Sequence, residues 1–144
     1  MRLSTRRWTR VPERVAAGLL DTSVVIDLES VDPVVLPLTV GVSAITMAEL
    51  AAGPAATDDV AERARRQERL QRAEAAFEAI PFGSGAARAY GRVHSAVLAS
   101  GRQPRRRFAD LLIASTAVAE GLPVVTRNPQ DFVGLDELVE VIAV

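Results

Sequence analysis

A chain of 144 residues with 49% hydrophobic content fits one domain and can bury a core without staples, which speaks against disorder. Cysteine and lysine are absent and histidine occurs once, at His94. Disulfide frameworks, thiolate or histidine-built metal centres, lysine phosphate loops and Schiff-base chemistry are therefore excluded, and a Ser-His-Asp triad is disfavoured. The net charge of −1 supplies no global field for nucleic acid, so attraction to an anionic partner must come from local clusters among the seventeen arginines.

The opening "MRLSTRRWTRVPERVAAG" has paired arginines but no apolar stretch behind them, and reads as neither a secretory nor a twin-arginine signal. Residues 1–18 are expected to form a loose basic arm, or the product of an upstream start codon, ahead of a domain spanning 19–144. Trp8 in that arm is suited to stacking on a base only if the arm is ordered. No apolar run reaches the length of a membrane span, and the lack of cysteine fits a reducing compartment. A cytoplasmic protein with no membrane association is expected.

"GLLDTSVVIDLES" starts with a short apolar run, Leu19–Leu20, that stops at Asp21 and leads into a short helix over Val24 to Glu29. "VGVSAITMAELAAGP" repeats the theme: β-branched residues from Val40 to Ile45, then a helix ended by Gly53 and Pro54. "DDVAERARRQERLQRAEAAFEAI" predicts a long helix. Val60, Ala64, Leu70, Ala73, Phe77 and Ile80 lie along one face, and Glu62 with Arg66 and Glu68 with Arg72 pair on the other. "IPF" at 80–82 suggests a brief strand. Residues 84–101 are helical again, with Ala87, Tyr90, Val93, His94 and Val97 inward. The helix over 108–120 carries a buried stripe of Phe108, Leu111, Leu112, Ser115, Val118 and Ala119. Strands are predicted at 123–126 and 139–144. Apolar strands without clean alternation, separated by helices, indicate an α/β fold: a three-layer α/β/α sandwich around a parallel sheet with right-handed crossovers.

Four acids stand out against this frame. Each has a local explanation: Asp21 as a helix cap, Glu49 in a Thr46-x-x-Glu49 capping box, Asp110 as first-turn charge on a helix dipole, and Asp131 as an organiser of the "NPQDF" turn. Topology adds a second reading. Strands of a parallel sheet end at one edge and the helices that follow them begin there, so all four carboxylates face the crevice where such folds place ligands. Two carboxylates ~4 Å apart repel by roughly 4 kcal/mol at an effective dielectric near 20, so a gathered set holds protons or a cation. With oxygen donors only, Mg²⁺ or Mn²⁺ is implied, and such a site suits phosphoryl chemistry.

The stretches "LLDTSVVIDL", "ITMAELAAG", "FADLLIASTA" and "VVTRNPQDF", in that order, resemble the PIN-domain nucleases and, within them, the VapC-type ribonuclease toxins of bacterial toxin–antitoxin pairs. The resemblance runs from about Leu19 to the C-terminus. It implies a PIN-like fold and Mg²⁺- or Mn²⁺-dependent endoribonuclease activity, with Asp21, Glu49 and Asp110 matching the acidic ligands and Asp131 similar to the fourth acid. A hydroxyl at Thr22 or Ser23 resembles the one that orients the first-strand site. The family further implies a homodimer, a cognate VapB-type antitoxin, and structured RNA such as tRNA or rRNA as substrate. Asn128 stands where many relatives carry an aspartate, a departure that bears on a second metal.

Arg102, Arg105, Arg106 and Arg107 precede Asp110 and are candidates for gripping RNA phosphate, with a solvated loop as the alternative. The arginines of 63–72 alternate with glutamates and read as a salt-bridged helix face, and His94 as a packing residue. A phosphatase of the haloacid-dehalogenase type would want D-x-D where Asp21-Thr22-Ser23 stands. A non-catalytic RNA- or protein-binding module on a PIN scaffold is the other alternative.

Overall fold

Among the described residues, which the computed structural model gives as 14–144, strands β1 (Ala17–Leu20), β2 (Thr39–Val42), β3 (Val124–Thr126) and β4 (Val141–Ala143) form one sheet. Their order is β2-β1-β3-β4 and every pairing is parallel. Most of the expected basic arm, Trp8 included, lies outside the described residues. Arg14, at its inner end, donates its guanidinium to the carbonyls of Leu36 and Pro33.

Helices cover both faces of the sheet, because neighbouring residues of a strand point to opposite sides. Leu19 and Val124 turn to one face, where they meet Val93 and Val97 of α4 (Ser84–Ala99) and Leu111, Ile113, Ala114 and Ala117 of α5 (Phe108–Glu120). Leu20, Val42 and Val125 turn to the other. There they pack with Val24 and Val25 of α1 (Thr22–Ile26), Leu50 of α2 (Ala44–Ala52) and Ala73 of α3 (Val60–Ala76). The expected three-layer sandwich is the observed one.

Several local expectations are corrected. The residues 80–82 contribute a single parallel bridge, Ile80 to Ser43, rather than a strand. α3 spans Val60–Ala76, and Val60, at its first turn, is 82% exposed instead of lining the apolar face. Arg72 pairs with Glu29 of the preceding segment rather than with Glu68. On α4 it is Ala86 and Ala89, not Ala87, that are buried. α5 is flanked by the sheet, α2 and α4, so it buries Ile113, Ala114 and Ala117 as well as Leu111, while Phe108 and Ala119 at its ends stay exposed. Its buried hydroxyls, Ser115 and Thr116, donate back to the carbonyls of Leu111 and Leu112 and leave no unpaired polar group. The helix stops at Gly121, whose φ of 67° is the left-handed conformation that a glycine adopts without strain.

Gly18 lies in the strand between β2 and β3, and a Cβ there would stand 2.8 Å from Pro37 Cγ and 3.0 Å from Val125 Cγ2. Gly18→Ala is therefore expected to cost about 1–3 kcal/mol, the usual range for overpacking. The readout is a lower midpoint in urea unfolding at unchanged slope; an unchanged midpoint would mean that Pro37 gives way freely.

Candidate active site

Of the strands that end at the carboxyl edge, β1, β2 and β3 are each followed within seven residues by one of the candidate acids, Asp21, Glu49 and Asp131. β1 ends at Leu20 and Asp21 follows, 3% exposed, its backbone N–H donating 3.0 Å to Val125 O. Asp21 Oδ1 accepts from the Val24 N–H at 3.2 Å and from the Ser23 hydroxyl at 2.6 Å. The capping reading of Asp21 is thus correct, and it leaves Oδ2 uncommitted among the described residues. Ser23 Oγ in turn accepts from the Arg127 N–H at 3.1 Å, which ties the end of β1 to the residue after β3.

β2 ends at Val42, and Ser43 rather than Thr46 caps α2, its Oγ accepting from the Thr46 N–H at 3.1 Å. The capping box predicted from Thr46 and Glu49 does not form. That frees Glu49, an exposed residue one turn further on, to accept from the Thr22 hydroxyl at 2.6 Å. The fully buried Thr46 hydroxyl lies 3.0 Å from Thr22 Oγ1 and 3.4 Å from Ser43 Oγ, so a chain of hydroxyls runs under the carboxylate. Sequence reading took Thr46 for a cap and missed this role; the signal was its spacing of three from Ser43.

After β3, the Asn128 N–H donates to the Thr126 hydroxyl at 2.9 Å and a 3-10 turn, Pro129–Phe132, carries Asp131. Asp110 sits in the first turn of α5. Arg107, just before that helix, reaches both acids with one nitrogen: Nη1 is 3.1 Å from Asp131 and 4.0 Å from Asp110. Arg105 and Arg106 occupy the same 3-10 turn, Pro104–Arg107, and are exposed.

Electrostatics shows that the four acids share one edge. The Asp110 carboxyl is pushed up from 3.8 to about 6, first by burial and then by the charges of Asp131, Glu49 and Asp21, with Arg107 opposing. As the side chains lie, no three acidic or imidazole groups among the described residues close to the spacing of a finished ion site. An ion pair with Arg107 holds Asp131, and a hydrogen bond from Thr22 holds Glu49. The donor set is nonetheless all oxygen, partly buried and short of positive charge, which is the chemistry a hard divalent cation takes.

An acid whose folded pKa is raised binds its proton more tightly in the native state than in the unfolded one. Native stability therefore falls as pH rises from about 4 to about 6 and remains reduced above it. Without added metal, Asp110→Asn should be more stable than the parent at pH 7.5, with an upper limit on the order of 3 kcal/mol. The gain should shrink towards zero near pH 4. Thermal melts of both proteins in EDTA at the two pH values measure it, and equal melting temperatures at pH 7.5 would contradict the crowding described.

Comparison with known proteins agrees with this geometry. The PIN domain family matches residues 18–138. Ribonuclease VapC5 of Mycobacterium tuberculosis is 41% identical over 126 residues, 84% of this chain and 89% of that protein. Among solved structures, the Mycobacterium tuberculosis VapBC-5 toxin–antitoxin structure contains a chain 38% identical. It superposes with a TM-score of 0.79 over 90% of this chain and 99% of its own. A chain of FitAcB from Neisseria gonorrhoeae, 30% identical, does so at 0.65 over 86% of this chain and 95% of its own. With its parallel sheet, its acids at the carboxyl edge and a match over most of its length, the chain belongs to the PIN-domain family, in the group of the VapC ribonucleases.

Proposed function

We propose that the chain is a metal-dependent endoribonuclease that hydrolyses RNA phosphodiester bonds and serves as the toxin of a type II toxin–antitoxin pair. The observation that carries this is the crowding of Asp110 by burial and by three further carboxylates at the sheet edge. Such an arrangement costs stability, and Arg107 offsets only part of that cost, which leaves room for a cation. Asp21 and Asp110 would hold Mg²⁺ or Mn²⁺, with Glu49 and Asp131 completing the set. A divalent ion bound there supplies phosphate charge neutralisation and a more acidic water.

The chain's residues have separable tasks. Ser23 fixes Asp21 through its 2.6 Å hydrogen bond and cross-links to the β3 loop. Thr22 holds Glu49, which takes a proton from the attacking water. Water adds in line to phosphorus, the bond to the 3′ oxygen breaks, and that oxygen is protonated from solvent, leaving a 5′-phosphate and a 3′-hydroxyl. Asn128 carries no charge where an aspartate would add one, so a single tightly held ion is the expected stoichiometry. The substrate class is structured RNA such as tRNA or rRNA, the exposed Arg105, Arg106 and Arg107 being placed to meet phosphate. A VapB-type antitoxin, a homodimeric assembly and a cytoplasmic location complete the reading. It is supported by the Mycobacterium tuberculosis relative, whose solved structure is of a member of the VapBC family of toxin–antitoxin systems.

Purified protein free of antitoxin should cut total tRNA and rRNA into discrete fragments in Mg²⁺ or Mn²⁺, and EDTA should abolish the products. Asp21→Asn and Asp110→Asn should each lower the rate at least about a hundredfold, whereas Ser23→Ala, which only unfastens Asp21, should lower it roughly ten- to a hundredfold. Fragment ends are read by ligation-dependent sequencing. Cleavage at parental rate by a folded Asp110→Asn variant would refute the assignment.

A further inference from the structure

A pocket of about 500 Å³ opens beside the acids, between the C-terminal end of α4 and the two 3-10 turns that carry Arg107 and Asp131. Its size is that of sites which enclose a small ligand rather than a lone ion. Arg102, Arg106, Gln103 and Gln130 supply its polar wall, and Leu111 and Val133 its apolar part. Val133 is 47% exposed and Leu111 is 2% exposed, so the apolar surface is offered at the mouth and anchored at the base. Arg107 and Asp131 line it as well, which makes it continuous with the catalytic edge.

The pocket is held in shape by its own contacts. Arg102 Nη1 donates to Gln130 O at 2.9 Å, fastening one turn to the other, and the Arg102 N–H donates to Val97 O at 3.2 Å. Gly134, at φ 92°, lets the chain after the second turn approach Ser100 so closely that a Cβ would stand 3.0 Å from its side chain. Charge in the pocket is unbalanced: among the described residues Asp131 is taken by Arg107, and neither Arg102 nor Arg106 pairs with a carboxylate.

We infer that this pocket is a nucleotide subsite that binds the RNA residue adjacent to the scissile phosphate and sets the base preference of cleavage. This rests on the ribonuclease reading above. Arg102 and Arg106 take the phosphate of that nucleotide, the exposed apolar surface of Val133, backed by Leu111, receives the face of its base, and the side-chain amides of Gln103 and Gln130 meet the base edge. Two amides carry both donors and acceptors, which suits discrimination between bases rather than general attraction. Because the pocket shares Asp131 and Arg107 with the acid cluster, a nucleotide in it places the neighbouring phosphodiester over the acids.

The test combines binding with cleavage. Anisotropy of a fluorescein-labelled single-stranded RNA of mixed sequence in EDTA reads affinity without turnover. Arg106, whose side chain makes no hydrogen bond among the described residues, is replaced without disturbing the fold. Arg106→Ala should weaken binding about tenfold, the cost of a charged hydrogen bond. It should also flatten the dependence of log affinity on log salt by roughly 0.7. Arg88→Ala, a charge-matched change near the far end of α4, should alter neither. On RNA that the parent cuts, Gln130→Ala should raise KM with kcat within about twofold and relax base preference at one position beside the cut. Parental affinity and salt slope in Arg106→Ala would overturn the subsite whether or not the parent cleaves RNA. A parent that binds RNA through Arg106 but cleaves none would instead overturn the ribonuclease reading, and with it the role in cleavage preference, while the nucleotide-binding pocket itself stands.

Discussion

The placement of β1 between β2 and β3, parallel to both, is the constraint from which the site follows. Its register, Leu20 beside Val42 on one side and Val125 on the other, brings three strand ends to the same level. Asp21, the start of α2 and the Asn128–Asp131 turn are then neighbours, although the turn follows Asp21 by more than a hundred residues in the chain. Order β2-β1-β3-β4 also makes the gap between β1 and β3 the point where connections leave in opposite directions, so no crossover covers it. The Ser23 bridge from Asp21 to the Arg127 N–H lies across that gap and fixes its width with two hydrogen bonds.

Holding four carboxylates there sets stability against function. The core beneath is apolar and well packed, with Leu19, Leu20, Val124 and Val125 fully buried, and it supplies the folding energy that the edge consumes. Asp110 carries most of the conflict because it alone emerges from a helix buried on nearly all sides, and its proton is correspondingly hard to remove. Arg107 relieves part of it from a position that is 56% exposed in its side chain, so its help is screened and incomplete. A carboxylate set arranged in this way is stable only in company, which is a property useful in a site that must take up an ion from solution.

Most of this was legible in the sequence because parallel strands announce themselves as apolar runs, and both their ends and the starts of the helices lie at one edge. Asp21, Glu49 and Asp131 were found after strand ends and Asp110 at a helix start, and the structure brings them to one edge. What the sequence concealed was tertiary choice between equivalent local partners. Ser43 and Thr46 were both competent caps, and burial of the pair let Ser43 take the backbone while Thr46 joined Thr22 under Glu49. Likewise Arg72 had Glu68 within one turn and found Glu29 instead. Helical periodicity failed on α5 for a related reason: a helix packed on several sides has no solvent stripe to read, so Ile113 and Ala117 are as buried as Leu111.

The two arginine clusters show how the same residue type is put to opposite uses. On α3, Glu62 accepts from both Arg65 and Arg66, Arg66 also donates to Gly53 O, and Arg63 is spent on the carbonyls of Pro54 and Thr57. These groups knit α3 to α2 and the loop between them, and little of their charge is left for a ligand. In the 102–107 cluster only Arg107 reaches carboxylates among the described residues, Asp131 closely and Asp110 at the limit of an ion pair. A chain with net charge −1 thus presents local positive charge on the α4–α5 side of its acids, while on α3 three of the five arginines are paired with glutamates. An anionic strand approaching the edge meets less neutralised charge on the α4–α5 flank than on the α3 flank, and that asymmetry gives it a direction across the site before any base is read.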